Sequence, residues 1–234
     1  MASSSNSFRN HLLIALSPDD RSILAPFLEP VGLDLYYEME KPSTPIESVY
    51  FMESGIASVV AVLEGRTRIE VGLIGREGMT GAAVVLDGGS SPHETYIQVA
   101  GEGQRISAKA LRTAMTKSTT LTSLLLKFAQ AFMVQTAHTA IANARGKIEQ
   151  RLARWLLMAH DRIDGDELPL THEFLALMLG VRRPGVTESV ASLERQGMIS
   201  AHRGRITVTN RGSLEKRAAG FYGVPEAEHR RLIG

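Results

Sequence analysis

The stretch Leu170 to Thr209, LTHEFLALMLGVRRPGVTESVASLERQGMISAHRGRITVT, constrains the fold more tightly than any other part of the chain. The hydroxyl of Thr171 can cap a helix that buries Phe174, Leu175, Met178 and Leu179. Small Ala176 permits a close helix crossing, and Gly180 and Val181 make a tight turn. A second helix is expected from Arg183 to about Gln196, with Pro184 in its first turn and Gly197 ending it in the left-handed conformation. Val186, Val190 and Leu193 recur at i, i+4 and i+7 and define its inner stripe. Arg182, Arg183, Gly185, Thr187, Glu188 and Ser192 are then expected to face outward. Met198 and Ile199 lead into a hairpin that turns at Arg203 and Gly204, flanked by His202 and Arg205. Helix, turn, helix and hairpin in this order describe a winged helix-turn-helix, whose second helix suits a DNA major groove.

Winged helices also serve as protein-docking modules, and two adjacent arginines can be a solvated helix start. Against this, a phosphate-competent cap, paired arginines at a helix entrance and a basic wing fall on one implied face, which favours double-stranded DNA. The candidate DNA-contacting residues are Thr171, His172, Arg182, Arg183, Thr187, Glu188, His202, Arg203 and Arg205.

The 234 residues suffice for two domains, and a hydrophobic content of 44% fits a globular protein. Charge separates the halves: 11 basic against 14 acidic residues precede Arg145, a balance of −3, and 15 against 11 follow from it, a balance of +4. Positive charge therefore gathers in the half suspected of meeting a polyanion. The absence of cysteine excludes disulfides, zinc fingers and iron–sulfur clusters on thiolate ligands. MASSSNS is a short polar start, and His11 to Leu16 is too short for a signal-peptide core. No segment approaches the ~20 apolar residues of a membrane helix, so a cytoplasmic location is expected.

Along the chain, Phe8 to Leu28 reads as one or two short helices with a start signal at Ser17, Pro18 and Asp19. From Val31 to Ser107 short strand-like runs alternate with turns: Val49 to Met52, Ile56 to Val62, Thr67 to Leu73 and Tyr96 to Val99. A hairpin turn is expected at Glu64, Gly65 and Arg66, and a tight bend at Gly75, Gly78 and Gly81. Helix begins near Ala108 to Leu111, and a long helix runs from Leu121 to about Ala144, on the order of 36 Å. It is apolar on two sides: Leu121, Leu125, Phe128 and Phe132 form one seam, and Leu126, Ala129, Met133, Ala137 and Ala140 a second. One seam is expected to meet the β-rich part, and the other the same helix of a second subunit. Leu121, Leu125, Phe128 and Phe132 are taken as the dimerisation residues. Asn143 to Gly146 reads as a hinge before Ile148, Leu152, Trp155, Leu156 and Ala159. The fold class is α+β, with a β-roll (jelly-roll-like) sensor over residues 1–120, a dimerisation helix over 121–144 and a winged helix-turn-helix over 145–234.

This order of parts resembles the Crp/Fnr family of bacterial transcription regulators across nearly the whole chain. The likeness is most specific in GKIEQRLARWLL, in LGVRRPGVTESVASLERQGMISAHRGRITV and in VYFMESGIASVV. It implies a homodimer on a palindromic operator, contact with RNA polymerase, and a small effector read by the β-roll. Thr171 and His202 match positions the family uses against phosphate, and Arg183 matches its base-reading arginine. Relatives carry glutamate where this chain has Pro184, and cyclic-AMP-responsive members have a second arginine where it has Glu188. Glutamate can accept from cytosine whereas arginine donates to guanine, so a different operator is expected.

The sensor departs further. Cyclic-nucleotide-binding relatives hold phosphate with an Arg-Ser pair and ribose with a glutamate. Here those places fall at about Glu94 and Thr95, and at Ala82 after Gly81. A carboxylate opposite a phosphate is repulsive, so cyclic AMP is not expected to bind, and no cofactor or metal is predicted. The effector stays unassigned. Haem on His93 or another histidine, or a small-molecule sensor without promoter recognition, are the alternatives, beside a winged-helix protein-interaction module. Catalysis is not expected: GREG and GGSS lack Rossmann or P-loop spacing, and His93 with Glu94 and His160 with Asp161 are isolated pairs.

Overall fold

The computed structural model describes residues 8–63 and 68–234. The turn expected at Glu64, Gly65 and Arg66 lies outside them, as does Thr67. Two short helices open the chain, α1 (His11–Ile14) and α2 (Pro18–Leu24). Ser17 caps α2 by accepting from the Asp20 amide at 3.1 Å. Buried Asn10 caps α1, and its side-chain amide donates to the carbonyls of Met52 and Gly78, fixing the helix to the strands behind it.

The strands are β1 (Glu29–Leu33), β2 (Glu38–Glu40), β3 (Ser48–Met52), β4 (Ile56–Val62), β5 (Arg68–Ile74), β6 (His93–Val99) and β7 (Gly101–Ser107), with a one-turn helix α3 (Ala82–Val85) between β5 and β6. They form two antiparallel sheets, ordered β2-β6-β4-β5 and β1-β7-β3. Leu33, Met52, Ala57, Ile74 and Ile97 pack together as one of their apolar clusters. The four expected strands are present. The sequence reading missed β1, β2 and β7, whose EPVGL, EME and GEGQRIS lack a run of alternating apolar residues.

A helix α4 (Ala108–Lys117) precedes the long helix α5 (Thr119–Arg145), which Ser118 caps through its hydroxyl. Leu121, Leu125 and Phe128 are buried in the chain's own core with Leu12, Leu24, Phe51 and Leu111. Phe132 is half-buried and packs on the same side. These four residues do not form a seam free to meet a second subunit, which corrects the expectation above. The cause lies in two glycines of the N-terminal β-domain, the expected sensor. A Cβ on Gly72 would stand 2.6 Å from the Phe132 ring, and one on Gly78 would collide with Phe128. Their absence of side chain lets α5 lie close against β5 and the bend after it. Gln135 completes the contact, accepting from the Leu73 amide at 2.7 Å and donating to its carbonyl at 3.1 Å.

Gly146 stops α5 in an extended conformation, and α6 (Ile148–His160) begins two residues later. The C-terminal head continues with β8 (Glu167–Leu168), α7 (His172–Leu179), α8 (Arg183–Arg195), β9 (Ile199–His202), β10 (Arg205–Val208) and α9 (Arg211–Arg217). Its three strands are ordered β8-β10-β9. One apolar cluster joins the head's Leu152, Trp155, Leu175 and Met178 to Ile56, Val60, Leu73 and Tyr96 of the sensor. The last helix, α10 (Val224–Ile233), packs on α5, and Ile233 packs against the sensor core. Among the described residues no helix is long and apolar enough to cross a membrane.

Candidate nucleic-acid interface

Thr171 caps α7 by accepting from the Phe174 amide at 3.1 Å, so its hydroxyl hydrogen is left to donate outward. Leu175, Met178 and Leu179 are buried, while Phe174 is half-buried and stands edge-on to Trp155 at 6.4 Å. Gly180 ends the helix at φ +60°. Arg182 then precedes α8 without bonding its own side chain to the helix; Pro184 has no N–H, and the Gly185 amide donates to the Arg182 carbonyl at 3.0 Å.

Along α8 the stripe Val186, Val190 and Leu193 is buried, and Arg182, Arg183, Thr187 and Glu188 are exposed. Two residues expected to face outward do not. Gly185 lies under α6, where a Cβ would stand 2.9 Å from Ile148. Ser192 is half-buried and bonds to Glu149 at 3.3 Å. His172 on α7 meets Thr187 on α8 at 3.1 Å, joining the two helices at their outer edge.

The wing turns at Gly204, whose φ is +75°. Ile206 and Val208 point inward, and His202, Arg203 and Arg205 are exposed. Arg205 pairs with Glu167 at 3.2 Å, with both side chains more than half exposed. Such a pair contributes little and can yield to a phosphate. The nine candidate residues thus lie along the start of α7, the start of α8 and the wing.

The sequence reading missed the braces behind this surface. Glu149 of α6 bonds to Ser192 and Gln196 and pairs with Arg217 at 3.1 Å, while Glu194 accepts from the Ala201 amide of the wing at 2.8 Å. The partners of Glu149 lie more than forty residues away, and no local pattern marks them.

Thr171, Arg182 and Arg183 also line a cleft of about 1200 Å³ whose other wall is the sensor, with Tyr36, Glu38, Arg68, Glu94 and Tyr96. Here the expected effector pocket divides. Glu94 faces this cleft and pairs with Arg68. Thr95, its neighbour on β6, is buried opposite Glu40. Strand alternation sends the two side chains to opposite faces, so Glu94 does not share a pocket with Gly81, Ala82 and Thr95. Beside Gly81 stands instead Glu40, which accepts from the Gly81 amide at 2.6 Å and whose carboxyl burial holds above the usual range.

A model of the Crp-like helix-turn-helix domain matches residues 150–217. A global nitrogen regulator of Nostoc sp. is 27% identical over 177 residues, covering 71% of this chain and 79% of that protein. One from Synechococcus elongatus is 25% identical over 185 residues, covering 75% and 83%. Residues 150–217 are thus a Crp-like helix-turn-helix domain. The fold agrees: a Crp/Fnr-family regulator from Eubacterium rectale superposes with a TM-score of 0.70 at 15% identity, covering 89% of this chain and 98% of that one. FixK2 from Bradyrhizobium japonicum gives 0.68 at 15% identity, covering 81% and 96%. With that domain and these likenesses the chain is a transcription regulator with a DNA-binding helix-turn-helix. The matched segment ends with α9, and α10 lies beyond it.

Proposed function

We propose that this chain is a regulator of the Crp/Fnr kind that acts as a cytoplasmic homodimer on a palindromic operator, with RNA polymerase as its protein partner and no catalytic role. Arg183 and Glu188 read bases, while Thr171, His202 and their basic neighbours hold phosphates. The supporting observation is the outer face of α5. Leu126, Met133 and Ile141 are 43%, 55% and 48% exposed there, beside exposed Ala137 and Ala140. From Phe128 to Ala144 the helix carries no Asp, Glu, Lys or Arg. A continuous apolar face on an otherwise charged surface favours association. Two copies of α5 in two-fold contact would cover it and present two recognition helices to one duplex. Light scattering should give twice the chain mass, and binding to duplex DNA should weaken steeply as salt rises. A monomer that binds a palindromic site at full strength, or retention insensitive to salt, would overturn the reading.

Cyclic AMP is not the effector in this reading. Ala82 and Thr95 offer neither a guanidinium for phosphate nor a carboxylate for ribose, and the Gly81 amide is already bonded to Glu40. Calorimetry should show no saturable binding below about 100 μM.

A further inference from the structure

A cavity of about 450 Å³ lies where the β-domain, α5 and the C-terminal half of the chain meet. That volume falls within the roughly 300–1,000 Å³ usual for small-molecule sites. None of Gly81, Ala82, Glu94 and Thr95, the residues expected to form the effector pocket, lines it.

Its apolar wall is made by Phe128, Ala131 and Phe132 of α5 with Pro225 of α10. Phe128, Ala131 and Pro225 are buried, and the two phenyl rings stand 6.3 Å apart with 31° between their planes. A flat apolar body suits a wall of this kind.

The rim is charged, and most of its charges are already paired. Arg162 holds Glu77 at 2.7 Å, Arg211 holds Asp161 at 2.7 Å, and Arg76 holds Asp164 at 2.9 Å and the Ile163 carbonyl at 2.8 Å. Tyr222 also donates to Asp161 at 2.7 Å, and Glu226 accepts from the Gly223 amide at 2.8 Å. Every side-chain carboxylate that lines the cavity therefore has a donor.

Three basic side chains stand outside this pairing. Among the described residues, those of Arg230 and His11 have no hydrogen-bond or ion-pair partner. His229 lies 3.0 Å through Nε2 from the Glu77 carbonyl, which can only accept, so Nε2 carries the hydrogen and Nδ1 is left over. The two imidazole rings are 6.4 Å apart, centre to centre.

This imbalance selects the ligand. A cation would have to take a carboxylate away from Arg162 or Arg211, and a neutral molecule gains nothing from Arg230. An anion meets a guanidinium whose planar fork fits a carboxylate through two parallel bonds, beside two imidazoles that can each present an N–H. We propose that this cavity binds a small carboxylate carrying a flat apolar body, with Phe128 and Phe132 against the body and Arg230, His11 and His229 around the carboxylate. Such a ligand touches the β-domain side through His11, the long helix through its phenyl rings and the C-terminal half through α10. The assignment needs neither a dimer nor bound DNA.

Calorimetry on the full chain with naphthoate tests it. Binding should saturate at one molecule per chain, with a dissociation constant below about 100 μM. Naphthylmethanol, which keeps the rings and lacks the charge, should bind about tenfold more weakly or worse. Arg230→Gln, at an exposed position, should weaken naphthoate about tenfold and leave the alcohol unchanged. Ala131→Leu fills the cavity from its wall and should remove both. An absence of saturation up to about 1 mM overturns the site, as does an alcohol that binds as tightly as the acid. So does an unchanged affinity for naphthoate in Arg230→Gln or in a folded Ala131→Leu protein. If Ala131→Leu fails to fold, the alcohol and Arg230→Gln decide alone.

Discussion

The ring of Phe132 occupies the space that a side chain on Gly72 would need, with 2.6 Å between the ring and an added Cβ. This is how α5 approaches β5 closely enough for Gln135 to bond both backbone groups of Leu73. Gly72→Ala should therefore push the helix outward and cost about 1–3 kcal/mol, the usual range for overpacking. Thermal unfolding should show a midpoint lower by several degrees. Combining it with Phe132→Leu should recover part of the loss, and an unchanged midpoint in the single variant would contradict the packing.

The two apolar sides of α5 should answer differently to a charge. Phe128 is buried in its own chain, so Phe128→Asp places a carboxylate among Leu12, Phe51 and Leu125 and should cost several kcal/mol of folding stability. Met133 is exposed, so Met133→Asp should leave the fold intact, as judged by circular dichroism, and yield monomers in light scattering. A folded dimer carrying Met133→Asp would direct the search for the interface to another surface.

Arg183 and Glu188 are both exposed on α8, five residues and about one and a half turns apart. Arg183→Ala should cost about 1–3 kcal/mol at one base and relax selectivity there, whereas Thr171→Val should weaken all sites alike. Glu188→Arg should shift preference toward guanine at its position. Selection of bound sequences from a random pool at fixed salt separates these outcomes. Identical motifs from all variants would remove Arg183 and Glu188 from base reading.

Glu149 gathers Ser192, Gln196 and Arg217 behind α8. Glu149→Ala should loosen the C-terminal half of α8 without altering the bases it reads. Affinity should fall by about 1 kcal/mol, roughly fivefold, at every site. A change of preferred sequence in this variant would contradict a purely positioning role.

Much of the fold was legible in the sequence because its signals are local. The i, i+4, i+7 stripe of Val186, Val190 and Leu193, the caps at Ser17 and Thr171, and the left-handed turns at Gly180, Gly197 and Gly204 each lie within a few residues of the structure they specify. What was hidden depends on distant partners. Both apolar seams of α5 were visible. Which one turns inward is decided by Gly72 and Gly78, some fifty residues earlier. The candidate site followed the same division. Its exposed residues were readable from helix and hairpin geometry, but the bracing by Glu149 was not. The pairing of Glu94 with Arg68, on the face of β6 opposite Thr95, required the strand register.

Helix α10 has a mechanical consequence for the head. The chain leaves the sensor at Gly146, builds the head, and comes back through Tyr222 to lay α10 on α5, where His229 meets the Glu77 carbonyl at 3.0 Å. A body attached at a single flexible point can tumble about any axis. One attached at two separate points can turn only about the line that joins them. If the apolar seam between head and sensor opens while α10 stays seated, the recognition helix can swing only along an arc, like a door on its pins.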